Sequence, residues 1–308
     1  MIAPVSPSAP VKLAGCQVGA NPIIWSNDDF SNLAGDLPLE VILREMAAAG
    51  FAGTELGHAY PRNPAALREA LDRHHLKLIG GWHSSHLAAN DYAAEEKNFQ
   101  AHLALLKSLN APVIIVAECT RCLHGAKDTA LGYGDDDRPR LDEAEWQRVS
   151  AGLGRFAALA AEAGLRLVYH HHMGTVIQTE AELDRLLADV PAMDLLFDSG
   201  HLAFAGIDPL AVLQRHGARV AHVHLKSLRR EVAERARRER WSFYRAVVEG
   251  VFTIPGEGVV DFPAIFAGLA RQHYRGWLVV EAEEDPVRVP ALPKALRARA
   301  YVRNHAGV

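Results

Sequence analysis

The sequence predicts an α/β chain folded as one (β/α)8 barrel. Short apolar, β-rich runs alternate with longer segments of helical period. Eight such runs can be counted, and 308 residues is the size of a barrel of eight strand and helix pairs.

The predicted strands are, in order, VKLAGCQVG (11–19), FAGTELG (51–57), LKLIGGW (76–82), PVIIVAE (112–118), LRLVYHH (165–171), MDLLFD (193–198), VAHVHLK (220–226) and GWLVVEA (276–282). Between them run helical segments such as PLEVILREMAAAG (38–50), EEKNFQAHLALLKSLN (95–110), EAEWQRVSAGLGRFAALAAEAG (143–164) and DPLAVLQRHG (208–217). Each of these closes on Gly or Asn, the residues that best tolerate the left-handed backbone ending a helix. A doubly wound open sheet is the competing architecture. It would call for a GxGxxG turn after the first strand, where the sequence reads ANPIIWSNDD.

Two connections are long: residues 119–141 after the fourth strand, and an insertion at 227–261 after the seventh. Loops on this side of a barrel shape its active site. No composition break divides the chain, so one domain spans 1–308, with 1–10 expected as a flexible tail.

Composition narrows the function classes. Charged residues make up 23% and hydrophobic ones 49%, as in ordinary globular proteins, and the net charge of -4 does not favour nucleic acid or an anionic membrane. No apolar run approaches the roughly 20 residues that span a bilayer, and the first residues lack a signal-peptide pattern. Cys16, Cys119 and Cys122 are an odd set in a long chain. That suits a reducing compartment better than a disulfide framework, so a cytoplasmic protein is expected.

Catalytic groups in such barrels come from the C-terminal ends of strands. Four successive predicted ends carry residues that bind metals: the triplet His170, His171 and His172; Asp198 with His201 in FDSGH; His222 and His224 in HVHLK; and Glu281 in VVEAEEDP. One histidine at a strand end is more often a structural residue, and one Asp before Ser-Gly more often a helix cap. Four adjacent ends together point to a divalent ion. A mixed nitrogen and oxygen set suits Mn²⁺, Co²⁺, Zn²⁺ or Fe²⁺ better than Ca²⁺ or Mg²⁺.

Seven motifs in order, NPIIWSNDD, GTELGHAYPR, YHHHMGT, LLFDSGHLAFAG, HVHLKS, GVFTIPGEG and VVEAEEDP, closely resemble the inosose dehydratase family of the xylose isomerase-like barrels. The resemblance spans roughly residues 11–285 and implies a divalent ion, Mn²⁺ or Co²⁺, held by His170, Asp198, His224 and Glu281. His170 stands where the superfamily usually has glutamate. Strand alternation turns 170 and 172 inward and 171 outward, whereas an earlier strand end or a bulge would select His171. The family also implies a substrate contact at His201, glutathione as a further cofactor, and a polyol ketone as the small-molecule partner.

The implied reaction removes water from 2-keto-myo-inositol (scyllo-inosose) to give a trihydroxycyclohexane-1,2-dione. Glu281, His172 or His201 would serve as base, and Lys226 or a metal-bound water as acid. Trp25, Asn27, Asp28, Glu55, Trp82, His83 and Glu118 lie in or near loops at the first four strand ends and are expected to meet the substrate; core packing is the plainer reading of both tryptophans.

The basic segment 229–250 reads as a lid or a subunit contact, which would make a homo-oligomer. The CxxC of Cys119 and Cys122 has no second pair and is read as structural. The rival functions are a sugar isomerase or epimerase of the same fold, a metal-dependent DNA endonuclease, and a sugar-binding barrel without chemistry.

Overall fold

A computed structural model describes residues 11–27, 30, 33, 37–133 and 137–308. Among them, eight parallel strands close a barrel: β1 (Gln17–Ala20), β2 (Gly53–Leu56), β3 (Lys77–Ser85), β4 (Val113–Glu118), β5 (Arg166–His170), β6 (Asp194–Asp198), β7 (Val220–Leu225) and, after two insertion strands β8 (Ser227–Leu228) and β9 (Phe252–Thr253), β10 (Trp277–Val280). The seam lies between β1 and β10, with Gln17 opposite Trp277 and Ala20 opposite Val280.

The outer ring contains α1 (Leu39–Ala49), α2 (Pro64–Asp72), α3 (Tyr92–Ser108), α4 (Glu143–Glu162) and α5 (Glu180–Asp189). It continues with α6 (Ser199–Phe204), α7 (Pro209–His216), the insertion helices α8 (Arg230–Arg238) and α9 (Phe243–Val248), α10 (Phe262–Arg271) and α11 (Ala291–Ala306). Their starts follow local rules. Asp142 with Glu145 and Thr179 with Glu182 form reciprocal capping boxes on α4 and α5. In α1 the buried Ile42, Leu43, Met46 and Ala49 recur at helical spacing, and Gly50 ends the helix at φ +86°.

Each predicted strand overlaps an observed one. The first differs most: residues 11–16 precede the strand, and Val11 and Leu13 donate N–H bonds to His305 and Ala306 at the end of α11. The third runs on to Ser85, three residues beyond the predicted end.

The core has three parts. One large apolar layer lies between strands and helices. A small cluster of Val113, Ile115, Val168, Leu196 and Ala221, with Trp82 against it, fills the barrel. A third, including Phe204, Leu228, Trp241, Phe243 and Phe252, lies under the insertion. Two register shifts, at Thr54/Glu55 and at Leu195/Leu196, re-aim the residues beyond them. The second sets Asp198 directly opposite His224. Among the described residues no helix is long and apolar enough to cross a membrane.

Candidate active site

The inward face of β5 carries Val168 and then His170, and the chain continues into the turn HHMGT. His170 and His172 line a cavity of about 350 Å³ at the C-terminal mouth of the barrel, the size of a small-molecule pocket. His171 is directed elsewhere, its Nε2 2.5 Å from the backbone oxygen of Gln178. The turn closes where Thr175 Oγ1 donates to the oxygen of His172, 2.9 Å away. Gly174 sits at φ +78°, and a Cβ there would lie 2.9 Å from the Leu131 side chain and 3.1 Å from the His124 backbone nitrogen.

Asp198 ends β6 and divides its carboxylate between two tasks. Oδ1 caps α6, accepting the N–H groups of Gly200 and His201 at 2.8 and 2.9 Å. Oδ2 makes no hydrogen bond, although it is buried. It lies 3.4 Å from His170 Nε2, 3.3 Å from His224 Nδ1 and 3.4 Å from Lys226 Nζ.

Alternation along β7 brings His222, His224 and Lys226 to one face. Glu55, at the end of β2, meets both imidazoles through Oε1, at 2.6 Å from His222 Nε2 and 2.9 Å from His224 Nε2. Its Oε2 accepts from Asn21 Nδ2 at 2.7 Å, and the same amide donates to Glu281 Oε2 at 3.0 Å. Glu281 Oε2 is in turn 2.8 Å from His224 Nδ1. Lys226 is fully buried between Glu281 and Glu283, its Nζ 2.5 Å from Glu283 Oε1.

These pairings set the charges. Burial opposes the imidazolium of His224, but Glu281 and Glu55 outweigh it and hold its pKa well above the ordinary value. Lys226 is likewise held well above, as Asp198, Glu281 and Glu283 overcome its desolvation. Burial would raise the carboxyls of Asp198 and Glu281; Lys226 pushes the first, and His224 with Lys226 the second, below the usual range. His172 and His201 go the other way. Burial, then neighbouring imidazoles and Lys226, keep both well below 6.5 and neutral.

The donor chemistry fits a divalent ion. His170, Asp198, His201 and Glu281 each offer one donor atom within 4.8 Å of the others. The carboxylates of Asp198, Glu281, Glu283 and Glu55 outnumber the ammonium of Lys226, and Asp198 Oδ2 is without a hydrogen-bond donor. Three of the four residues the motifs imply as ligands thus converge with His201, while His224 approaches Asp198 and Glu281 through Nδ1. Its Nε2 is held by Glu55 at 2.9 Å, so that a carboxylate on β2 fixes the orientation of this ring.

Aromatic side chains wall the cluster. Trp82 stands edge-on to His170 and His172, with ring centroids 5.4 and 5.8 Å apart. From the insertion, Phe243 lies 5.3 Å from His172, and Phe252 lies 5.0 Å from His201 and 4.7 Å from Lys226 Nζ. The segment 229–250 therefore contributes to the roof of the site.

Several expected substrate contacts lie elsewhere. Trp25 is fully buried behind the barrel wall, donating from Nε1 to Glu45 at 2.7 Å, because a 3-10 turn over Pro22–Ile24 rotates it toward α1. His83 sits within β3 on the opposite face from Trp82, against Phe99, His102 and Phe156, and burial brings its pKa down to about 4. Glu118 also points outward, accepting from Ser85 Oγ at 2.6 Å and from the N–H of Leu87 at 3.0 Å. Asn27 is buried and accepts the N–H of Phe30 at 2.9 Å. Asp28 falls outside the described residues. Glu55 and Trp82 line the cavity; Lys226 and His201 are buried behind it.

Sequence reasoning passed over Asn21, His124 and Glu283, all on the cavity wall. Glu283 was signalled by the alternation Glu281, Ala282, Glu283. Asn21, directly after β1, carried no comparable signal.

The xylose isomerase-like TIM barrel family matches residues 43–305. Inosose dehydratase of Geobacillus thermodenitrificans is 44% identical over 294 residues, covering 95% of this chain and 98% of that protein. The chain belongs to the inosose dehydratase family. The corresponding enzyme of Clostridium beijerinckii is 40% identical over 96% of this chain and 98% of its own. The rhizopine catabolism protein MocC of Rhizobium meliloti is 46% identical, with 89% and 83% covered. Among solved structures, the probable 3-DHS dehydratase AsbF of Bacillus anthracis superposes with a TM-score of 0.68 at 15% identity, covering 94% of this chain and 99% of that one. D-allulose 3-epimerase from Methylomonas sp. gives 0.67 at 18%, covering 96% and 99%. These two likenesses concern the fold. Membership of the inosose dehydratase family rests on the sequence relatives.

Proposed function

We propose that this member of the inosose dehydratase family is a metal-dependent hydro-lyase that converts 2-keto-myo-inositol (scyllo-inosose) to a trihydroxycyclohexane-1,2-dione and water. The observation that carries the reading is the meeting of His170, Asp198 and Glu281, the first and last of which line a cavity of about 350 Å³. His170, Asp198 and Glu281 hold the ion, with His224 or His201 completing the set. Bound there, Mn²⁺ or Co²⁺ supplies a Lewis acid for the vicinal oxygens of the substrate.

The substrate's carbonyl acidifies the neighbouring C–H, and His172, which lines the cavity, takes that proton. Its Nδ1 is 2.8 Å from the backbone oxygen of Met173, so Nδ1 bears the hydrogen and Nε2 carries the lone pair. The β-hydroxyl then departs as water, taking its proton through the Lys226–Glu283 pair; Glu283 lies on the cavity wall and Lys226 behind it. Trp82 offers the flat apolar wall against which a cyclohexane ring can rest.

The test is a metal-stripped assay on scyllo-inosose that follows dione formation by ultraviolet absorbance. Mn²⁺ or Co²⁺ is added back, with and without glutathione, beside the H170A variant. Metal-dependent product that is lost in H170A is the expected result. No product from protein shown to bind the ion would overturn the assignment and turn attention to ketose isomerisation or epimerisation.

A further inference from the structure

The cysteines that follow β4 lie against the site. Cys119 is buried, Cys122 is half-buried, and the N–H of Cys122 donates to the oxygen of Cys119 at 3.1 Å. A hydrogen-bonded turn holds its end Cα atoms within about 7 Å, and disulfides span about 4.4–6.8 Å. The Cys119 thiol donates to the backbone oxygen of Ala117 at 3.6 Å. Within the turn Arg121 adopts φ +57°, a position that favours glycine. Its guanidinium is fastened to Glu145 at 2.7 and 2.8 Å and to the oxygen of Arg140 at 2.8 Å. An anchored turn with a long side chain in the left-handed region keeps the two cysteine backbones within disulfide reach.

The next residues lead directly to the cavity. Leu123 donates its N–H to the oxygen of Gly174 at 2.7 Å, joining this segment to the histidine turn. The ring of His124 lies 4.9 Å from that of His172 and forms part of the cavity wall. Cys122 is thus joined along the chain to His124 and, through the Leu123–Gly174 hydrogen bond, to the turn carrying His172.

We propose that Cys119 and Cys122 are a hydroperoxide-sensitive dithiol whose closure to a disulfide reshapes the cavity wall at His124. The Cys122 thiolate attacks the peroxide oxygen, an S–O bond forms as the O–O bond breaks, and the departing hydroxide takes a proton to become water. The Cys119 sulfur then attacks Cys122, the S–O bond breaks, and a second water leaves with the Cys119 proton. Two thiols are oxidised and one hydrogen peroxide is reduced to two waters.

The division of labour follows from the surroundings. Hydrogen bonding from Cys119 outweighs burial and, helped by His124, brings the Cys122 thiol down to about 4, whereas the same pairing and burial raise Cys119. Cys16 lies apart, buried, its Sγ 3.4 Å from the backbone oxygen of Tyr274.

The experiment treats the Mn²⁺-loaded protein with hydrogen peroxide, quenches with catalase, and reads intact mass, free thiols, peptide maps, hydrogen exchange of residues 169–175, and turnover. The expected result is loss of two hydrogen masses and two thiols, a linked 119–122 peptide, altered exchange in 169–175, and at least a severalfold fall in turnover that dithiothreitol reverses. C122S and C119S should keep their turnover through the same treatment. The turnover arm rests on the dehydratase reading. Mass, thiol count and exchange do not, so failure of one reading is separable from failure of the other. Both thiols remaining free, a bridge that leaves exchange and turnover unchanged, or C122S inactivated as fast as the parent chain would each overturn the proposal.

Discussion

Glu55 Oε1 lies 2.9 Å from His224 Nε2, while the opposite nitrogen of the same ring lies 2.8 Å from Glu281. A carboxylate on β2 thus sets the direction of an imidazole on β7, across the barrel mouth. Replacement by the neutral isostere, E55Q, keeps the shape but weakens this hold. Metal affinity should fall roughly 10- to 100-fold, the cost typical of losing an outer carboxylate, and the stripped protein should also melt earlier, since His222 and His224 lose their charged partner. Competition with a chelating dye measures it; unchanged affinity would show that Glu55 does not orient the ligand set.

Asn21 Nδ2 is shared between Glu55 and Glu281 at 2.7 and 3.0 Å. Hydrogen bonds to charged groups contribute about 1.5–3 kcal/mol. N21A leaves two buried carboxylates without their common donor, so kcat should fall about ten- to a hundredfold while the circular dichroism spectrum is retained. Parental kcat in N21A would mean that Glu281 is held in place without it.

The contrast between Asn21 and His83 shows what was legible. Closely spaced pairs within one strand or its extension, His170/His172, His222/His224 and Glu281/Glu283, declare a shared face through period-two alternation. His83 and Glu118 also sit near strand ends, but on the other parity, and parity depends on where a strand stops. Because β3 continues to Ser85, His83 falls outward beside Trp82, which falls inward. Trp25 follows a 3-10 turn, where alternation does not apply. Asn21 and His124 reach the cavity through connections whose direction is set by tertiary packing, which no local pattern encodes.

Removing the ion should lower stability as well as activity. A ligand that binds only the folded chain stabilises it by about 2.7 kcal/mol at a free concentration of 100 times Kd. Scanning calorimetry should show the melting temperature rising by several degrees as Mn²⁺ is added to stripped protein, and D198A should show no rise. A flat response in the parent chain would contradict a site at Asp198.

Glu182 links stability to pH at the foot of the histidine turn. It accepts the N–H groups of Gln178 and Thr179 at 3.0 and 2.9 Å and pairs with Arg138 at 2.6 Å, while Gln178 Oε1 accepts from Gly174 at 2.7 Å. Burial alone would raise this carboxyl, yet Arg138 and the two amides bring it below the usual value. A depressed carboxyl contributes its stability above the unfolded pKa of about 4.3 and loses it as pH falls through the lower folded value. E182Q should therefore melt earlier than the parent at pH 7, and the gap should shrink in acid. A gap of equal size at both ends of the range would remove Glu182 as its source.

Phe243 tests whether the insertion serves the site or merely sits on it. It belongs to the apolar cluster under α8 and α9, is fully buried, and covers His172 and His201 at 5.3 and 6.0 Å. Truncating a buried phenylalanine costs about 3–5 kcal/mol, and here the space it leaves opens beside His172. Water entering that space would weaken each electrostatic contact in the cluster, since charges interact more strongly in a dry site. F243A should therefore lose both stability and kcat, whereas F243L, which keeps most of the apolar cover, should recover most of the kcat. Measuring melting temperature, kcat and KM on the two variants separates the roles. If F243A melts earlier but turns over at the parental rate below its melting point, the insertion is a structural brace and the chemistry does not depend on its cover.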